Sequence, residues 1–282
     1  MKNFLYVVNA KGEQEPFSAK KVEKSAKRVG ASLKLAKQIA RQVEAKVYNG
    51  IPTFEIFKEV KSLLSQDQPI FGLKFNLKQA IKDLGPDGFG FEKFVASLLR
   101  EAGYKVKLNQ FISGKCLSQY EIDFTAENAS SFKIGECKYH SQPGFAVDQE
   151  VALANHARFL DILQGKFCLK KNDKGQKASC LLVTNTRFSA RAIKYSECSG
   201  VELWGWKYPL NNGLEVFIDQ NKLYPITILP SFQKQWTKAF NSRNIILASD
   251  FLKVNLQRLS QEENIGLELL NKTKSQAEIL FR

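Results

Sequence analysis

The stretch EIDFTAENASSFKIGECKYH, residues 121–140, decides the fold. Tyr120, Ile122 and Phe124 alternate with Glu121, Asp123 and Thr125, and residues 131–139 form a second extended run; a period of two on both sides of a short polar break predicts paired strands. A tight turn at Ala129-Ser130 sets a register that puts Asp123 directly opposite Glu136, with Cβ atoms about 5 Å apart. Two carboxylates that close repel, and a cation between them relieves the repulsion. Glu136 and Lys138 are two residues apart on one strand and therefore share a face. Hydrolysis of a phosphodiester needs a divalent metal on hard oxygen ligands, an activated water and positive charge beside the phosphate. Asp123 and Glu136 as metal ligands, with Lys138 to orient or deprotonate the water or to stabilise the oxyanion, make up that set. A structural ion-pair ladder on a solvated sheet face accounts for the same three residues. Cys137, between the two strand residues, falls on the opposite face and reads as core.

Outward from this hairpin, residues 89–102 carry Phe91, Phe94, Val95, Leu98 and Leu99 at helical spacing, and Gly103 closes the helix. Downstream the patterns predict a helix over 148–163, a buried strand over 178–185, a helix over 189–198 and a strand over 201–204. Strands and helices alternating after a mixed hairpin give an α/β fold with a central mixed sheet flanked by helices. Asp148, Gln149 and Arg158 on the following helix, and Thr184, Asn185 and Arg187 at a strand end, are further candidates to meet phosphate or water.

Four blocks in this order, GFEKFVASLLREAGY (90–104), EIDF, GECKYH and LLVTNTRFSARAIKYSECSGVELWGWKYP (181–209), resemble the Mrr-like branch of the PD-(D/E)xK restriction endonucleases over about residues 85–210. The resemblance implies a restriction-endonuclease-like sheet, Mg²⁺ or Mn²⁺ as cofactor and double-stranded DNA as substrate. It matches Asp123 to the family's aspartate, Glu136 and Lys138 to its (D/E)xK pair, and Glu92 to the acidic residue of the first helix that supports a metal or its waters. A nuclease fold that binds DNA in response to a nucleotide without cutting it is the alternative.

The chain of 282 residues has a formal net charge of +14, which favours an anionic partner, and residues 1–82 hold 16 basic against 7 acidic side chains. Five cysteines without a CxxC pair predict neither a disulfide framework nor a structural zinc site. No apolar run approaches the roughly 18 residues of a membrane span, so the expectation is a cytoplasmic protein with no membrane partner. The N-terminal segment, 1–82, starts with an apolar strand over 4–9 and then holds helices capped by Ser18 and Ser32, with a third from Thr53. Its motifs VVNAKGEQEPFSAKKVEKSAKRVG (7–30) and YNGIPTFEIFKEVKSLL (48–64) resemble the ATP-cone, a nucleotide-sensing domain, with Asn9-Ala10 where that family carries a basic pair. The resemblance implies ATP or dATP as a regulator. Lys11, Lys20 and Lys21 are the candidates to hold its phosphates, the last two near a helix N-terminus; a DNA-gripping or simply solvated lysine face explains them equally. In the linking segment, Leu77, Ala80, Ile81 and Leu84 form a helical stripe ended by Gly85-Pro86. The domain reading is thus 1–82, 83–220 for the nuclease and a helical tail over 221–282, a cap or dimerisation arm of a homo-oligomer or a faint likeness to degenerate helix-hairpin-helix elements.

Overall fold

The computed structural model describes residues 5–85, 88–142, 144–172 and 175–282; Pro86, named above, and Phe4, the first residue of the expected strand over 4–9, lie outside them. Strands β1 (Tyr6–Val8) and β2 (Gln14–Pro16) form an antiparallel pair, and β3 (Ile51–Pro52) joins β1 in parallel. Around them stand α1 (Ala19–Arg28), α2 (Leu33–Lys46), α3 (Thr53–Asp67) and α4 (Pro69–Phe75); α5 (Leu77–Lys82) follows, with Leu77, Ala80 and Ile81 buried in the core of the central part. The hydroxyl of Ser18 accepts the Lys21 N–H (3.3 Å) and that of Ser32 the Leu35 N–H (3.1 Å), each satisfying an orphan donor of the first turn. Ala26, Ile39, Val43, Val60 and Leu64 fill the core of this unit.

The central part runs α6 (Phe89–Glu101), β4 (Lys105–Ile112), β5 (Tyr120–Glu127), β6 (Ser131–Lys138), β7 (Ala146–Val147), α7 (Gln149–Leu163), α8 (Lys166–Asn172), β8 (Lys177–Thr184), β9 (Arg187–Phe188), α9 (Ala190–Ser199), β10 (Glu202–Trp204) and α10 (Leu214–Gln220). Five strands make one sheet in the order β10-β8-β6-β5-β4, parallel from β10 to β6 and antiparallel from there to β4. The fold is therefore mixed α/β, with a core on each face of the sheet. One core holds Ile134, Leu182 and Leu203 against Ala152, Phe159 and Ala192 of α7 and α9. The other holds Phe124, Ala126 and Val183 against Phe91, Phe94 and Leu98 of α6.

That second core continues into the C-terminal helices α11 (Thr237–Ser242), α12 (Ala248–Leu252), α13 (Leu256–Glu263) and α14 (Leu267–Ile279), through Tyr224, Phe240, Phe251 and Leu270. The segment 221–282 thus packs with α6 as one body: Lys93 on α6 donates to the Asn241 carbonyl (2.6 Å), and Thr227 donates to the Ala80 carbonyl (2.6 Å). No helix among the described residues is long and apolar enough to cross a membrane.

The loop between β4 and β5 is held by one carboxylate. Asp161 on α7 accepts the backbone N–H groups of Cys116 (2.8 Å) and Leu117 (3.2 Å) and the Tyr120 hydroxyl (3.0 Å). Burial pushes this carboxyl up, but those donors outweigh it and bring it down to about 2. A depressed acid stabilises the fold fully above the ordinary carboxylate range, and that contribution disappears as pH falls through about 2. Asp161→Ala should therefore speed amide hydrogen exchange at Cys116 and Leu117 at neutral pH and leave α6 protection unchanged; equal exchange in the variant would refute this role.

Candidate active site

The β5–β6 hairpin closes on Asn128, whose side-chain oxygen accepts the N–H groups of Ser130 (3.1 Å) and Ser131 (2.9 Å). This side-chain turn lets an Ala-Ser pair, poor in a two-residue hairpin by backbone preference, serve as one. The resulting register pairs Glu127 with Phe132, Thr125 with Ile134 and Phe124 with Gly135. Asp123 and Glu136 are the next step along it. There the backbone ladder stops, and the Asp123 carboxylate accepts the Cys137 N–H at 2.7 Å.

Asp123 interrupts the other ladder too. Strand β4 pairs Leu108 with Phe124 and Gln110 with Ile122, skipping Asn109 and Asp123, and Asn109 has φ 50°. The chain changes face at this step: Ile122 belongs to one core and Phe124 to the other, although residues two apart in a regular strand share a face. Asp123 thus sits at a twist in β5, the strand next to the edge of the sheet, a kind of distortion enriched near functional sites. On β6, Phe124 lies over Gly135, where an added Cβ would stand 1.9 Å from its ring.

Both carboxyls are lifted. Loss of water raises the Asp123 pKa, opposed by the Cys137 N–H and the charges of Arg158 and Lys138. Loss of water and then the Asp123 charge raise that of Glu136, again opposed by Arg158 and Lys138. Arg158, reaching down from α7, donates to Glu136 at 2.6 Å. Lys138 is exposed one step beyond. Cys137 packs against the α6-side core, and burial together with Asp123, Glu92 and Glu136 holds its thiol well above the usual range. The half-buried Glu92 on α6 is therefore within electrostatic reach of this strand end. Among the described residues, no three His, Cys, Asp or Glu side chains gather as a ligand group, so Asp123 and Glu136 stand as a pair with two cations beside them.

An acid whose folded pKa is raised keeps its proton more tightly in the folded state, so its contribution to stability fades as pH rises through that pKa. Arg158→Gln removes an opposing charge, lifts Glu136 further and enlarges that loss. Urea unfolding should show the variant roughly 1–2 kcal/mol less stable at pH 8 and nearly level with wild type near pH 4; the reverse order would rule out this electrostatic role.

Other candidates are occupied structurally. Thr184 donates to the Lys138 carbonyl (2.7 Å), and the Asn185 amide spans His140, donating to its carbonyl and accepting from its N–H, both 2.9 Å. Asp148 caps α7, accepting from Gln149 N–H (2.7 Å) and Ser189 (3.0 Å). The three lysines expected to act together are separated. Lys21 lines an apolar cleft of about 230 Å³ with Phe17, Thr53, Ile56 and Phe57, and pairs with Glu15 at 3.4 Å. Lys11 instead lines a different crevice facing the central sheet, and Lys20 is exposed and borders neither cavity. Lysines ten residues apart on a hairpin turn and a helix need not converge, and spacing alone did not reveal this.

Comparison with protein-family models finds no match. The chain is 39% identical over 135 residues to an uncharacterized protein of Archaeoglobus fulgidus, an alignment covering 48% of this chain and 71% of that protein. The crystal structure of a protein of unknown function, AF1548, superposes with a TM-score of 0.56 at 30% identity, covering 67% of this chain and 96% of that one. The chain belongs to the family of this uncharacterized Archaeoglobus fulgidus protein.

Proposed function

We propose that this chain is a metal-dependent DNA endonuclease of the PD-(D/E)xK type, acting in restriction or another form of DNA defence, with a nucleotide-sensing N-terminal unit over 1–82, a nuclease unit over 83–220 and a helical segment over 221–282. The observation that carries the reading is the pair of desolvated carboxyls, Asp123 and Glu136, at a break in the central sheet with Arg158 and Lys138 beside them. The donor set fits Mg²⁺ or Mn²⁺: two hard oxygen ligands suit an ion that keeps several of its waters. When bound, the ion supplies Lewis-acid stabilisation of the phosphoryl oxygen and an acidified water. The chain's own groups do the rest. Lys138, on the Glu136 face, offsets the charge gathering on the phosphate, and the planar Arg158 fork can transfer donors from Glu136 to phosphate oxygens. Glu92 supports the site from α6 through its charge. The net charge of +14 supports double-stranded DNA as the partner.

The cleft at Lys21, with an apolar floor and Thr53 at its edge, supports ATP or dATP as a regulator. Incubating methylated and unmethylated plasmid with Mg²⁺ or Mn²⁺, with and without ATP, tests the reading. Wild type should cut and Lys138→Ala should not; DNA binding without cutting under every condition would favour a silent DNA-binding protein instead.

A further inference from the structure

A second basic site lies away from the carboxylates, where the N-terminal unit meets the central sheet. A crevice of about 310 Å³ is lined by Lys11 from the β1–β2 turn, Lys78 and Lys82 from α5, and Arg187 from β9. The two α5 lysines are four residues apart and so occupy one face of the helix. Lys11 reaches across to the central part: its side chain packs over Gly144, where an added Cβ would stand 2.8 Å from Lys11 Cε. Among the described residues, none of these four cations has a carboxylate within ion-pairing distance. The two acids on the crevice wall are engaged, Glu13 with Asn9 (2.9 Å) and Glu15 with Asn9 (2.9 Å) and Lys21. Lys78 is an exposed residue overall, yet loss of water around its ammonium, then the charges of Lys82, Lys207, Arg187 and Arg28, bring it down to about 8. Loss of water lowers Lys82 as well.

Like charges converging from three chain segments on one concavity cost stability until an anion neutralises them. A stripe of cations along a ridge would suit a nucleic-acid backbone; convergence on a crevice suits a compact anion. We propose that this crevice binds a small polyphosphate, the di- or triphosphate group of a free nucleotide or an inorganic polyphosphate, clamped between Lys11 of the N-terminal unit and Lys78, Lys82 and Arg187. The site adjoins the candidate active strand: Arg187 follows Asn185 by two residues, and the Asn185 amide holds the backbone of His140, two residues beyond Lys138. The anion therefore bridges the N-terminal unit and the segment after β8 whose Asn185 holds the chain just past β6. The inference stands on the crevice itself and does not need the carboxylates to cut DNA.

The test is calorimetric titration of the full chain with inorganic tripolyphosphate, without metal, for wild type, Lys82→Gln, Arg187→Gln and, as a control on an exposed lysine of α2 that lines neither cavity, Lys37→Gln. Wild type should bind, Lys82→Gln and Arg187→Gln should each lose about tenfold or more in affinity, the worth of one charge-assisted contact, and Lys37→Gln should bind like wild type. Thermal melting of the unliganded proteins separates a binding loss from misfolding: Lys82→Gln relieves repulsion and should melt at or above the wild-type temperature. ATP competing with tripolyphosphate identifies a nucleotide as a source of the phosphate; no competition leaves the inorganic anion, and both support the site. Absence of tripolyphosphate binding by wild type, binding by Lys82→Gln and Arg187→Gln no weaker than by Lys37→Gln, or displacement by a short DNA duplex whose own binding drops in the same variants would overturn the proposal.

Discussion

Asp123→Asn should lose about a thousandfold or more in DNA cleavage while remaining folded, because the substitution removes a charge and keeps a shape. The asparagine side-chain oxygen can still accept the Cys137 N–H that Asp123 accepts at 2.7 Å, so the twist in β5 keeps its tie. What disappears is one of two hard anionic donors and the charge that raises Glu136. Glu136 then ionises at lower pH, closer to an ordinary carboxylate. Fold stability should be level with wild type or higher at neutral pH, since a desolvated charge has been removed, and DNA affinity should not fall, since an anion facing phosphate has gone. Quantitative plasmid cleavage, DNA binding at fixed salt and thermal melting separate these outcomes. Cleavage at the wild-type rate by a folded Asp123→Asn protein would exclude this residue as a metal ligand.

Gly135→Val should have the largest effect on stability, about 3 kcal/mol or more, because its Cβ would fall inside the Phe124 ring, which cannot retreat from a filled core. Glycine is required here for close approach and not for backbone freedom: the strand needs no left-handed residue at this point. The glycine lets an aromatic ring cover its strand neighbour, a cross-strand arrangement that also locks the register immediately before Asp123 and Glu136. Trimming the ring tests that cause. The double variant Gly135→Val with Phe124→Ala should recover part of the loss in urea unfolding, despite the cavity that Phe124→Ala makes alone; two losses that simply add would show that the ring contact is not responsible.

The hairpin is the part most legible in the sequence. Alternation in residues 120–126 and 131–138 is local, and a short polar break leaves few registers that keep Phe124 and Ala126 covered. The helix starts at Ser18, Ser32, Asp148 and Ser189 are legible for the same reason, since a cap acts within its own first turn. The twist at Asn109 and Asp123 is not, because it depends on two strands leaving their ladder together; an asparagine inside the weakly alternating KVKLNQFI is the only mark of it. Arg158 stood out only as one of several polar residues on a helix, and its contact with Glu136 depends on how α7 lies across the sheet. The covering of α6 by the C-terminal helices is equally a matter of tertiary packing: Phe240 and Phe251 read as ordinary amphipathic positions, with nothing in the spacing to name the surface they cover.

Mn²⁺ titration of the full chain between pH 5 and 8, followed by calorimetry, tests most directly whether the two raised carboxyls form a divalent-cation site. The account predicts binding that tightens with rising pH as Asp123 and Glu136 lose their protons, and that weakens sharply in both Asp123→Asn and Glu136→Gln. Mn²⁺ binding that is the same in wild type and both variants, or no binding by a folded wild-type chain at pH 8, would contradict it.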